Sequence, residues 1–166
     1  MPNTLSGLPA HPLLVHIPVV LLPLAAICAV AMLIRPALLR TFGWFVVGLA
    51  GVGFIGALFA ASTGDELKET REAAGQSISA TLRDHAEQGD AVQVYAGIFF
   101  VLVLAWVGFA WWRRRVGEER ATSVARKPKI VATALAALAI LAGAATTASV
   151  TIAGHNGAKS VWETKK

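Results

Sequence analysis

The chain has 166 residues, is 55% hydrophobic and has a mean hydropathy of +0.60, a balance that excludes an ordinary soluble domain and points to a membrane protein. Its single cysteine, Cys28, lies inside an apolar run, so an internal disulfide, a Cys-x-x-Cys-His haem attachment and a thiolate zinc cage are excluded. The formal charge of +5 is unevenly placed, and the basic residues flank apolar runs instead of forming a nucleic-acid motif.

Residues 1–10 hold no Lys or Arg. A secretory signal needs a positive region before its apolar core, so the first apolar run is expected to be retained. That run, residues 13–34, has no charge over 22 residues, enough to cross a hydrocarbon core of about 30 Å as a helix. It is entered through His11-Pro12-Leu13-Leu14-Val15-His16-Ile17-Pro18. Pro12 suits a first helical turn, His11 then falls at the N-cap, and Pro23 predicts a kink. Arg35, Pro36 and Arg40 close the span.

The second span is expected over residues 42–62, with Gly48, Gly56, Ala60 and Gly64 on a stripe of fours that lets a neighbouring helix or a flat cofactor approach closely. Gly51-x-Gly53-x-x-Gly56 lies inside this span and is rejected as a dinucleotide motif. Residues 65–91 are polar and carry a net charge of −4; they predict a short helical segment before Gly75 and a second that runs into the third span. The third span, residues 92–112, ends in Trp111-Trp112-Arg113-Arg114-Arg115, an aromatic belt followed by cations. The fourth, residues 130–152, leads to His155, and counting back from it in fours gives Thr151, Thr147, Gly143 and Ala139. Trp162 follows as a candidate interfacial anchor.

These runs predict an all-α fold: residues 1–166 form one integral membrane bundle of four transmembrane helices with a short polar helical outer loop. The connections 35–41 and 113–129 carry net charges of +2 and +5. The positive-inside rule places both in the cytoplasm, with both termini and the acidic loop outside. All four histidines, His11, His16, His85 and His155, then gather at one membrane face.

The opening His11-Pro-x-x-Val-His16-x-Pro18, the Thr63-Gly64 that closes span two, a histidine before span three and Gly154-His155-x-Gly157 after span four together resemble the bacterial membrane family "domain of unknown function 2231". Ile17 and Ala158 depart mildly from its usual Phe and Gly. The resemblance covers nearly the whole chain. It implies a four-helix bundle in the bacterial inner membrane, and an association with Rieske-type and cytochrome-type partners, hence electron transfer.

Ionisable side chains at membrane depth are read first as functional. Two imidazoles from facing helices are the axial set of a b-type haem. His16 and His85 are the preferred pair, His11 and His155 a second pair or outer-shell partners, and Arg83, Lys159 or Asn156 candidates for the propionates. The same histidines, with Asp84 or Asp90, are alternatively a site for Zn²⁺ or Cu²⁺. The structural readings are an N-terminal cap for His11, a dipole-complementing His155 and a solvated His85. No catalytic triad or His-Glu-x-x-His motif appears, so the chain reads as an electron-transfer or structural module and not as a hydrolase or transferase. The expected partners are the lipid bilayer, the quinone pool and a redox protein at the outer face, with no nucleic acid. The alternative is a non-redox module that binds a metal ion or serves complex assembly. A reporter fused after Lys166 is expected to be active only outside the cytoplasm; activity of a cytoplasmic reporter there reverses the topology.

Overall fold

The computed structural model describes residues 4–5, 8–75, 77, 80–117 and 127–163, with side chains described over 11–75, 77, 80–117 and 127–159. Trp162 therefore lies outside the described side chains. The chain opens with a two-residue antiparallel ladder, β1 (Thr4–Leu5) against β2 (Leu8–Pro9). Among the described residues five helices follow: α1 (Ala10–Leu14), α2 (His16–Ile34), α3 (Pro36–Ala73), α4 (Ala80–Val116) and α5 (Pro128–Glu163). The stretch His11–Ile34 and the three longer helices are each long and apolar enough to cross a membrane. The polar residues 65–73 and 80–91 belong to the same helices as the apolar spans they adjoin, so these parts of the polar stretch are helical extensions.

Local chemistry sets the breaks. Pro18 has no N–H for the carbonyl of Leu14, and its ring crowds that carbonyl; α1 ends at Leu14 and α2 restarts at His16. Arg35 precedes Pro36, is extended (φ −124°, ψ 91°) and alone joins α2 to α3, as expected for a residue driven out of the α region by a following proline. Gly75 and Gly117 end α3 and α4 with φ of +73° and +80°, a conformation glycine adopts without a Cβ penalty.

The four long helices pack in a ring, α2 on α3, α3 on α4, α4 on α5 and α5 back on α2. Neighbours run antiparallel: Gly43 meets Val107 and Gly51 meets Phe100 across α3 and α4, while Gly143 meets Phe99 across α4 and α5. Each helix buries a narrow seam whose steps alternate between three and four residues. In α2 it is Pro18, Leu22, Ala25, Ala29 and Met32; in α4 it is Val92, Ala96, Phe99, Val103 and Trp106. In α5 it is Ala136, Ala139, Gly143, Thr146, Val150 and Ala153. This 3.5-residue repeat is the geometry of a left-handed bundle.

Small residues let the backbones close up where the seams meet. A Cβ on Gly53 would stand 2.8 Å from Leu22 Cδ2, and one on Gly56 would stand 2.5 Å from Ile17 Cγ2 and 3.2 Å from Pro18 Cδ. Gly48, by contrast, is exposed and has nothing near its Cβ position. The close-packing stripe on α3 thus runs through Gly43, Gly53, Gly56, Ala60 and Gly64 and omits Gly48. Trp106 is also buried, a core residue on the α4 seam. The buried Thr146 hydroxyl lies 2.7 Å from Ala142 O and 3.0 Å from Tyr95 O, bridging α5 to α4. Gly56→Ala is expected to lower unfolding stability in detergent by about 1–3 kcal/mol through overpacking, and Gly48→Ala to leave it unchanged or slightly raised; thermal melts of the two variants check this.

Candidate functional site

The antiparallel ring brings the start of α1, the outer parts of α3 and α4 and the end of α5 to one end of the bundle, so all four histidines share that end. They differ in where their rings point. Continuing the α2 seam backwards in the same steps gives Val15 and then His11. Continuing the α4 seam backwards gives Gly89 and then His85. His16 and His155 fall off the seams, between turns that face the bundle axis.

The rings follow this register. His11 and His85 are half-buried, whereas His16 and His155 are exposed. The His11 and His85 ring centres are 6.1 Å apart with their planes at 82°. His16 bonds within its own helix turn, Nδ1 to Pro12 O at 2.7 Å, so its ring stays on the outer surface of the bundle. The rings in contact are therefore His11 and His85, where the sequence favoured His16 and His85 as the pair. His11 is also not an end cap; it lies inside the first turn of α1 and reaches across to α3.

Both inward histidines are seated in the same way. His11 Nδ1 donates to Ala60 O on α3 at 2.8 Å, and His85 Nδ1 donates to Ala153 O on α5 at 3.0 Å. One turn beyond each accepting carbonyl stands a glycine. A Cβ on Gly64 would meet His11 Cε1 at 3.1 Å, and one on Gly157 would meet His85 Cε1 at 2.8 Å. Each imidazole thus packs against a glycine while bonding the carbonyl four residues earlier. Ala60-x-x-x-Gly64 and Ala153-x-x-x-Gly157 are two copies of one seat.

This seat has a chemical consequence. A carbonyl only accepts, so the proton of a neutral imidazole is held on Nδ1 and the lone pair is left on Nε2. Backbone carbonyls in this role fix the tautomer and ring orientation of a ligating histidine and raise its basicity. The two rings meet edge to face, 6.1 Å between centres, and with each Nδ1 on a carbonyl the Nε2 atom of each is the nitrogen that could hold a metal. Among the described residues no group of three or more His, Cys, Asp or Glu is placed to hold one ion. A pair of imidazoles would suit a metal whose other positions are filled by a macrocycle.

The remaining polar candidates are distributed around the pair. Asn156 Nδ2 donates to Gln88 Oε1 at 2.9 Å, pinning α5 to α4. Arg83 and Lys159 are exposed at the same end, as are Asp84 and Asp90. Sequence reasoning did not single out Gly157 and the Ala60 and Ala153 carbonyls as seats; the alternating three-and-four register, extended past the apolar spans, is the pattern that locates them.

No curated protein and no solved structure gives a significant match to the chain. One family model matches residues 7–165, under the description "predicted membrane protein (DUF2231)". The match spans both histidine seats and all four long helices, and the chain belongs to the DUF2231 family of predicted membrane proteins.

Proposed function

We propose that His11 and His85 are the two axial ligands of a b-type haem, and that the protein is a one-electron carrier of the bacterial inner membrane or the membrane anchor of a redox partner. The observation that carries this reading is the pair itself: two imidazoles at perpendicular planes, 6.1 Å between centres, each with Nδ1 committed to a backbone carbonyl. When bound, the haem supplies a one-electron iron couple whose potential depends on its axial ligands and their hydrogen bonds. The chain's own part is to hold both Nε2 atoms in place, to strengthen their basicity through Ala60 O and Ala153 O, and to present the site at one face of the bilayer. Charge asymmetry makes that face the outer one and puts both termini there. Electrons would pass between the quinone pool and an acceptor at this face. The acidic helical extensions around it, net −4 over residues 65–91, suit a basic docking surface. His16 and His155 take no part in this site.

The absorption spectrum of the detergent-purified protein, with and without dithionite, tests the proposal. A Soret band and a reducible α band are expected. His11→Ala and His85→Ala should each abolish the six-coordinate spectrum, and His16→Ala and His155→Ala should leave it intact. Colourless protein from haem-replete cells refutes the haem. If such protein carries stoichiometric metal by elemental analysis, the non-redox module holding Zn²⁺ or Cu²⁺ on the same pair stands instead. A second measurement addresses the seat: Gly157→Ala displaces the His85 ring and is expected to weaken haem retention by about 10–100-fold, the cost typical of disturbing a ligand's outer support.

A further inference from the structure

The opposite end of the bundle carries a second constellation, made of indoles and guanidinium groups. Trp44 on α3 and Trp111 on α4 meet edge to face, 6.4 Å between ring centres at 84°. Both are about half exposed on the outward surface of the α3–α4 seam. Arg40 stands one turn further out than Trp44 on α3, and Arg114 and Arg115 one turn further out than Trp111 on α4. The Arg115 guanidinium carbon lies over the Trp111 ring, 4.5 Å from its centre, a cation–π contact that limits the side chain's freedom. Because Trp44 and Trp111 touch across antiparallel helices, Arg40, Arg114 and Arg115, each one turn beyond its indole, stand at the same level of the α3–α4 pair.

Cations gathered at one level of the surface attract anions. Residues 35–41, 113–117 and 127–129 at this end hold seven Lys or Arg and no Asp or Glu, and residues 118–126 contribute two acids and two bases, a net of zero. The arrangement is layered: apolar helix, then two touching indoles, then three guanidinium groups. Indoles favour the headgroup boundary of a bilayer, and guanidinium binds phosphate oxygens in a fixed fork. We propose that Arg40, Arg114 and Arg115 with Trp44 and Trp111 form a specific seat for one anionic phospholipid. Its phosphodiester lies between Arg40 and Arg114, and its glycerol region rests against the indole pair. The seat exceeds a general topology signal because it commits three named cations from two helices to one point on the surface.

The test uses full-length protein in mixed micelles of a zwitterionic detergent, with lipids brominated on their acyl chains as quenchers of tryptophan fluorescence. Brominated phosphatidylglycerol is expected to quench at several-fold lower concentration than brominated phosphatidylcholine. Arg40→Gln with Arg114→Gln should erase that preference, at about fivefold per guanidinium removed, while Arg40→Lys with Arg114→Lys retains most of it. Lys127→Gln with Lys129→Gln, which removes the same charge elsewhere at this end, should leave the preference standing. Equal quenching by the two lipids in the unaltered protein overturns the proposal. So does an equal loss in the lysine pair, which would reduce the effect to diffuse charge. Suppression of the preference by millimolar inorganic phosphate would assign the seat to the free anion and overturn the lipid. Unchanged far-ultraviolet circular dichroism guards against misfolding of the variants.

Discussion

Packing along the 3.5-residue seam is the constraint on which the rest of this structure depends. In lipid there is little hydrophobic gain from bringing apolar helices together, so association rests on close backbone approach and interhelical polar contacts. Gly53 against Leu22, Gly56 against Ile17 and Gly143 against Phe99 show that approach. Once the seams are in register, what lies at their outer ends is fixed. The α2 seam arrives at His11, the α4 seam at His85, the α3 seam at Gly64 and the α5 seam beyond Ala153 at Gly157. Two imidazoles and two glycines therefore share one layer, because the core continues into the site without a change of geometry.

Much of this was legible in the chain. The four apolar runs, their breaks at Pro36 and Gly75, and the gathering of the histidines at one end follow from span length, turn residues and charge. The pairing was not. A stripe counted in fours overshoots a full turn by about 40° at each step on a helix of 3.6 residues per turn. Four such steps amount to about 160°. That is the reach from Ala139, on the seam, to His155, which is exposed, and from Gly64 back to Gly48, which is also exposed. Alternating threes and fours stays on the buried face and ends at Gly157. The distinction between His11 and His16 had a second cause. The break before Pro18 lets the His16 ring bond the carbonyl of Pro12, so the residue that looked most deeply placed by sequence turns outward.

The two ends of the bundle use arginine, histidine and aromatic chemistry for different tasks. At one end imidazole rings point inward and their outer nitrogens are tied to backbone carbonyls. At the other, indoles and guanidinium groups point outward into the interfacial layer. Trp106 marks the boundary: it lies one and a half turns from Trp111 on the same helix, yet is buried in the core. Residue type alone does not separate these roles; the position of each residue relative to the seam does.

Each seat is also complete within one helical hairpin. His11 rests on the α3 partner of its own hairpin, and His85 on the α5 partner of its own. The imidazoles are thus oriented by contacts between chain-adjacent helices. Only the 6.1 Å approach of the two rings belongs to the union of the halves. A ligand that bridged them would act as a clasp between the two hairpins: its binding free energy would oppose their separation and leave the internal stability of each one nearly untouched.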